Sequence, residues 1–211
     1  MKNRKYIFCI LVLIVTTFFI GCSSSIEIEL LKDGSVNYSF SGQTGKGLEN
    51  LIRTSQNISS DVPIFYAEGI QKDLSQNGFS NVEVSSKNTE LKIKMSEKNK
   101  NSMFFTSGVL TSQNGKLKLC LSEKTLNNFY NQCDAEIALY MDMLLSPVFN
   151  GEQMTQNEYL ELVKSFYGAQ VANDLEKAYI KVSLKNVDGS VSKHNISLTQ
   201  ILTLNKSLQL E

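Results

Sequence analysis

The sequence predicts an α+β fold in which a mainly antiparallel sheet, built from hairpins, carries helices packed on one face. Three observations lead to this prediction. Apolar and polar residues alternate on both sides of Asp-Gly and Asn-Gly turns, as they do in hairpins. Other stretches repeat apolar residues every three or four positions, as amphipathic helices do. The order is strands, helix, strands, helices and strands, with no evident parallel βαβ unit.

The N-terminal segment has the pattern of an export signal. Lys2, Arg4 and Lys5 form a basic head, and residues 6–20 contain no charged side chain. A basic head before a short apolar run is typical of a secretory signal peptide. The alternative is an uncleaved membrane helix, but the run is shorter than the roughly 20 apolar residues that span a bilayer.

The apolar run ends in a short motif that suggests lipid attachment, Phe19-Ile20-Gly21-Cys22. The motif resembles the lipobox of bacterial lipoproteins. This resemblance implies that residues 1–21 are a lipoprotein signal peptide and that the Cys22 thiol carries diacylglycerol. It also implies an acylated amino group and attachment to a membrane of the bacterial cell envelope. Two or more acyl chains satisfy the requirement for stable anchoring.

The motif divides the rest of the chain into a tether and a body. Residues 22–25 are the expected lipidated Cys and short tether, because a strand pattern begins at Ile26. Four extended residues reach roughly 13 Å, so the body is expected close to the headgroups. Residues 26–211 fit a single α+β domain with a sizeable core. Ser23 and Ser24 lack the acidic retention signal of lipoprotein sorting, which favours an outer membrane where there is one.

The balance of basic and acidic residues argues against some classes of binding partner. The chain has 21 basic and 21 acidic side chains, and residues 1–21 hold three of the basic ones and none of the acidic ones. The mature chain therefore has 18 basic against 21 acidic residues, a net charge near −3. The sequence has no basic patch for nucleic acid and no polybasic face for anionic lipid. Membrane association is expected from the acyl chains rather than from charge.

The first half of the body predicts two hairpins, two helices and further strands. The first hairpin joins residues 26–30 to 36–40, and Asn114-Gly115 marks the turn of another. The glycine-rich segment 42–47 lacks phosphate-loop spacing and is predicted to be a flexible turn. Helices are predicted near Leu48 and from an Asp61 cap to Gly78. The other predicted strands are residues 82–84, 91–95, 103–109 and 117–121.

The second half is predicted to be mainly helical before it returns to strands. One helix covers residues 123–133, and the next, 134–149, is apolar nearly all round and expected to be buried. Thr155 and Glu158 match a capping box that starts a third helix, which Gly168 ends. A further short helix precedes the last strands. These strands are a hairpin from 180–184 to 191–198, closed by Asp-Gly-Ser as in the first hairpin, and a weakly alternating run at 201–210.

Two cysteines lie in the body, Cys120 and Cys133, in a compartment where disulfides are permitted. A bridge between them would contribute roughly 3 kcal/mol through loop-closure entropy. An unbroken helix to Cys133 would carry this residue ~15 Å along its axis. A bridge requires Cα atoms within ~7 Å of each other. The sequence leaves two alternatives open, a disulfide or two buried thiols.

No pattern in the sequence indicates catalysis, a metal site or a cofactor. His194 is the only histidine and is expected at the surface of the last hairpin. A nucleophile elbow and a two-histidine zinc helix are both absent from the sequence. Asp134, Glu136 and Asp142 crowd one segment without a calcium-loop pattern, so they are predicted to be a solvated helix face.

Three functional hypotheses follow. The first, which is favoured, is an envelope protein that acts as a non-catalytic binding or assembly module with a protein partner. The second is a carrier for a lipid or other small apolar ligand, with residues 126–149 as a pocket wall, because Met-rich helices can line adaptable pockets. The third is a hydrolase whose site one sequence does not reveal. A strong anchor motif, a short tether and the missing active-site pattern favour the first.

Overall fold

The structure of the chain, a computed structural model, describes residues 24–133 and 135–211. It confirms the predicted α+β class. The strands are β1 (Ser24–Leu30), β2 (Val36–Gln43), β3 (Ser80–Lys87), β4 (Glu90–Glu97), β5 (Leu110–Gln113), β6 (Lys116–Leu121), β7 (Tyr179–Lys185), β8 (Val191–Ser197) and β9 (Leu208–Leu210). The helices are α1 (Lys46–Gln56), α2 (Ala67–Gln76), α3 (Met103–Thr106), α4 (Glu123–Tyr130), α5 (Ala135–Phe149), α6 (Gln156–Tyr167), α7 (Ala169–Lys177) and α8 (Leu198–Thr203).

The main layer is a six-stranded sheet with the order β3-β4-β2-β1-β7-β8. The predicted hairpins β1–β2 and β7–β8 are both present and antiparallel. They lie side by side because β1 pairs with β7, and this pair is parallel. The first and last thirds of the body are thereby joined in the middle of the sheet. Strand β1 is an inner strand, with a neighbour on each side.

The two faces of this sheet differ sharply. Alternate residues such as Ile28, Ile93 and Val182 are buried and belong to the same apolar core as the helices. Burial of one such side chain contributes about 1.5–3 kcal/mol. The other face is polar, and the register places Glu27 beside Ser39 of the next strand. One-sided burial is common in antiparallel sheets, and it agrees with the predicted placement of helices on one face.

A second, three-stranded sheet has the order β5-β6-β9 and was not anticipated from the sequence. Its β5–β6 hairpin turns at Asn114-Gly115 as predicted. The buried side chain of Asn186, just after β7, accepts a hydrogen bond from the Leu117 N–H at 2.8 Å. The N–H of the next residue, Val187, donates to the Gly115 carbonyl at 3.0 Å. These hydrogen bonds join the two sheets.

The glycine-rich segment 42–47 is not a flexible turn, so that prediction was wrong. The N–H groups of Gly47 and Leu48 donate to Asp174 Oδ2 of α7 at 2.7 and 3.1 Å. A Cβ atom on Gly47 would lie 2.6 Å from the carbonyl carbon of Gln170. Glycine therefore allows α1 to start in close contact with α7. A carboxylate occupies the helix N-terminus, the place where a phosphate loop would hold phosphate.

The predicted strand at 103–109 was also wrong. Residues 103–106 form the short helix α3, and the strand begins only at Leu110. The buried Glu97 carboxylate accepts hydrogen bonds from the Ser102 N–H at 2.6 Å and the Ser102 hydroxyl at 2.7 Å. This contact fixes the chain at the start of the helix. Aromatic residues favour strands, but here tertiary contacts decide the local structure.

The run at 201–210 is mostly not a strand. Residues 198–203 form α8, and the Ser197 hydroxyl caps it by accepting from the Gln200 N–H at 3.2 Å. Leu198, Ile201 and Leu202 are buried at helical spacing. The weak alternation of the sequence concealed this helical stripe.

Two predicted helix boundaries shift, whereas helix α5 ends at Phe149 as predicted. Helix α2 begins at Ala67 instead of near Asp61, and it ends at Gln76, close to the predicted stop. Helix α4 ends at Tyr130, three residues before Cys133. Helix α5 continues through Pro147 to Phe149, with non-helical backbone angles two residues before the proline. That distortion is expected where proline crowds the preceding turn.

Candidate functional site

The described chain begins in an inner strand of the main sheet. Strand β1 begins at Ser24, two residues after Cys22 and earlier than the Ile26 start that the alternation predicted. Cys22 and the predicted signal peptide, residues 1–21, lie outside the described residues. The hydroxyl of Ser24 donates to the Tyr179 carbonyl at 3.4 Å. Two residues reach at most about 7 Å, so an anchor on Cys22 would be joined almost directly to the sheet.

An apolar groove of about 290 Å³ opens between helices α1, α5, α6 and α7; we call it the helical groove. Its apolar lining includes Leu51, Leu162, Val163, Phe166, Val171 and Leu175. Phe166 is 73% exposed, an unusual exposure for a large apolar side chain. Among the residues that the structure describes, the charged side chains lining the groove are Asp142 and Glu152, and both are acidic.

Helix α6 provides the exposed large apolar side chains of the groove, Leu162, Phe166 and Tyr167, and its start was predicted correctly. The Thr155 N–H donates to Glu158 Oε2 at 2.8 Å, and the Thr155 hydroxyl accepts from the Glu158 N–H at 3.3 Å. The hydrogen bonds from Thr155 lower the pKa of Glu158. Tyr159 and Val163 are buried, whereas Leu162 is exposed beside them. The apolar stripe of α6 is therefore wider than the core can cover.

The predicted pocket wall at 126–149 borders this groove only in part. Asp142, Ser146 and Pro147 of α5 line it. Leu126 and Phe129 of α4 are buried in the core instead, and the Phe129 ring stacks on Phe104 at 6.1 Å between centroids. The groove depends mainly on α6 and α7, which sequence analysis had not connected with a pocket. The two-sided apolar pattern of α6 was the available signal.

A second concavity, of about 510 Å³, lies on the polar face of the main sheet. Glu27, Glu29, Ser39, Glu83 and Lys94 are among the side chains that line it. Lys94 and Glu83 are directly paired across the sheet. These opposite charges face one another on an open, solvated surface. The arrangement is that of an ordinary exposed sheet face.

Neither Cys120 nor Cys133 takes part in a disulfide within the part of the chain that the structure describes. The thiol of Cys133 donates to the Phe129 carbonyl at 3.2 Å and packs against the core. Cys120 alternates with Leu119 and Leu121, which pack on the core from the same strand. The two thiols therefore lie on different sides of this region. Of the two alternatives left open by the sequence, the structure has the unbridged thiols, although both cysteines are half-buried rather than buried.

His194 is half-buried, and the prediction of a surface position was wrong. It lies opposite Val182 on the apolar side of the sheet. Its Nε2 atom is buried and has no hydrogen-bond partner among residues 24–133 and 135–211. Leaving such an atom without a partner costs about 1–3 kcal/mol.

Of the three side chains in the predicted acidic cluster, the structure describes only that of Asp142. It accepts a hydrogen bond from the Tyr130 hydroxyl at 3.0 Å. Asp134 lies outside the described residues. In the described portion of the chain, no three His, Cys, Asp or Glu side chains are grouped as metal ligands. Likewise, no helix among those residues is long and apolar enough to cross a membrane.

No known protein family, curated protein or solved structure matches this chain. Function is therefore inferred from the geometry of its own residues.

Proposed function

We propose that the protein is a bacterial envelope lipoprotein, anchored by acyl chains on Cys22, whose body is a non-catalytic binding or assembly module. The resemblance of residues 19–22 to a lipobox supports the anchor. The start of β1 at Ser24 is consistent with a body held at the membrane. The binding role rests on one observation, the exposed apolar lining of the helical groove.

The occupant of the helical groove is an apolar segment of a partner protein that also carries a basic residue. The lining is apolar, and Asp142 and Glu152 supply negative charge at the groove. The volume of about 290 Å³ is just below the ~300–1,000 Å³ typical of small-molecule pockets. A few side chains of a partner fit this space better than a two-chain lipid. Covering Phe166 with apolar groups would contribute about 1.5–3 kcal/mol.

A small apolar ligand is the second candidate occupant, and the same apolar lining favours it. In this alternative the protein is a carrier, and the ligand is held among Leu162, Val163 and Leu175. Mass spectrometry of gently purified full-length protein distinguishes the two candidates. A stoichiometric small molecule that is lost on Leu162→Glu substitution would support the carrier.

The anchor is tested by metabolic labelling with an alkyne analogue of palmitate in a bacterial host. The parent chain should incorporate the label and fractionate with membranes. The Cys22→Ser variant should incorporate none and should remain unprocessed. Equal labelling of both chains would contradict acylation at Cys22.

The groove is tested by photocrosslinking in cells, with a crosslinking amino acid at Phe166 and a matched control at the exposed Val191. We expect a discrete protein adduct from position 166 only, and the crosslinked peptide should carry apolar and basic residues. Leu162→Glu should reduce the yield about tenfold, which corresponds to ~1.4 kcal/mol of binding energy. Val191→Glu should leave it unchanged. Similar adducts from both positions would count against a groove-specific partner.

A further inference from the structure

Each of the six strands of the main sheet starts or ends at the same end of the sheet. The register pairs Ser24 with Ile180, Gln43 and Lys87 with Glu90, and Tyr179 with Ser197. We call this end of the sheet the anchor edge, because β1 begins there. It is formed by strand termini and not by an outermost strand. The described chain begins at Ser24, within this edge.

Three exposed apolar side chains lie at the anchor edge. Tyr179, the first residue of β7, is 42% exposed. Val62 and Tyr66 are exposed in the loop between α1 and α2. This loop lies at the anchor edge because the Ile64 N–H donates to the carbonyl of Asn88, in the β3–β4 turn, at 3.4 Å.

The loop that carries Val62 is held in place by the half-buried Arg53 side chain, which is 13% exposed. Arg53 Nη1 donates to the Ser59 carbonyl at 2.6 Å and to the Val62 carbonyl at 2.8 Å. Arg53 Nε donates to Glu49 at 2.8 Å. The apolar group at position 62 is therefore displayed at a fixed position. A preorganised loop loses little conformational entropy when it meets another surface.

The exposed groups lie on both sides of the attachment point. Strands in a sheet are about 4.8 Å apart, so Tyr179 and the β3–β4 turn are separated by roughly 15–19 Å across β1 and β2. A linker of at most about 7 Å from Cys22 to Ser24 keeps this edge near the acyl chains. The opposite edge carries the two Asp-Gly-Ser turns, whose Asp33 and Asp188 carboxylates bond to the serines of their own turns.

We propose that the anchor edge rests on the lipid bilayer, with Tyr179, Tyr66 and Val62 in the headgroup region. This inference depends on the proposed acylation of Cys22 and adds a fixed orientation to it. Tyrosine suits that position because its ring is apolar and its hydroxyl remains hydrated. Contact arises from apolar and aromatic groups rather than from a basic patch, in agreement with the charge of the chain.

The absence of tryptophan from the sequence allows a direct test. Single variants Tyr179→Trp, Tyr66→Trp and Val62→Trp are prepared in the full lipidated protein and reconstituted into vesicles of phosphatidylethanolamine and phosphatidylglycerol. Val191→Trp is the matched control, because Val191 is 47% exposed and lies at the opposite end of the strand pair. Phospholipids with brominated acyl chains quench only those tryptophans that approach the bilayer.

At least two of the three anchor-edge tryptophans should be quenched about twofold or more and shifted to shorter emission wavelength. The Val191→Trp control should be unaffected. Equal quenching at both edges, or none at the anchor edge, would overturn the orientation. Mass spectrometry of the Cys22 peptide tests the acyl anchor separately from the orientation. An acylated peptide with unquenched tryptophans refutes the orientation alone, whereas an unacylated peptide refutes the anchor and the orientation together.

Discussion

A side chain larger than hydrogen has no room at residue 47. A Cβ atom there would meet the carbonyl carbon of Gln170 at 2.6 Å and the nitrogen of Val171 at 2.7 Å, and both are backbone atoms of α7. Gly47→Ala must therefore move α1 away from the carboxylate of Asp174. We expect the free energy of unfolding to fall by about 1–3 kcal/mol, the usual cost of overpacking. Urea unfolding of residues 24–211 measures the change.

The matched control for this substitution is Asn50→Ala, at an exposed position of the same helix. Surface substitutions normally change the free energy of unfolding by no more than about 0.5 kcal/mol. Equal destabilisation by Gly47→Ala and Asn50→Ala would mean that the close helix contact contributes nothing specific.

Residue-scale features could be predicted when their partners were close in sequence. The Thr155–Glu158 capping box was found because both members lie within one helical turn. The cap of α1 was missed because Asp174 is more than 120 residues away. His194 is an intermediate case. Ile196 is buried two positions later on the same face, so strand alternation alone would have placed His194 on the apolar side.

At the scale of elements, an ion pair joins the two central hairpins. Lys185 on β7 lies directly opposite Glu29 on β1, with 2.6 Å between Nζ and Oε1. The hydrogen bond from Lys185 holds the pKa of Glu29 below its ordinary value of 4.5. Because the folded pKa is the lower one, the pair stabilises the fold above about pH 4.5. That stability is lost as the pH falls through the folded pKa of Glu29.

A double-mutant cycle with Glu29→Gln and Lys185→Met should give a coupling energy of about 0.2–1 kcal/mol at pH 7, because both side chains are partly exposed. The coupling should weaken in high salt and should decline as the pH falls through the lowered pKa of Glu29. Glu27→Gln on the same strand is the control, since Glu27 lies opposite Ser183 rather than a lysine. A coupling that is insensitive to both salt and pH would assign it to packing rather than charge.

Elements with strong local signals were predicted correctly, and those fixed by distant contacts were not. Alternation about tight turns identified the hairpins of β1–β2 and β7–β8. Helix α3 was mistaken for a strand because Phe104 and Phe105 favour strands, while the deciding contact, between Glu97 and Ser102, comes from the tertiary fold. Helix α8 was missed because the apolar spacing of a short segment fits both periodicities.

At the scale of the whole molecule, the sequence predicted the layer arrangement but not the connections between layers. Helices on one face follow from one-sided apolar patterns. The parallel β1–β7 pair and the second sheet depend on contacts between segments far apart in the chain, for which no local residue pattern exists. The helical groove has the same origin, because four separate helices contribute to its lining.

The side chain of Asn186 connects the two sheets. Its Oδ1 accepts from the buried N–H of Leu117, and its Nδ2 donates to the Ser190 hydroxyl at 3.0 Å. Asn186→Leu keeps the approximate size of the side chain but leaves that N–H without an acceptor, at a cost of about 1–3 kcal/mol. We expect the smaller sheet to open before the main sheet, because the contact between them is weakened.

Amide hydrogen exchange measures this separation directly. In Asn186→Leu, the amides of β5 and β6 should exchange faster by about tenfold or more, while those of β2 and β4 keep most of their protection. Asn195→Leu, at an exposed position on β8, should leave both sheets unchanged. Equal loss of protection in both sheets would mean that they unfold as one cooperative unit, held together by the shared apolar core rather than by this side chain.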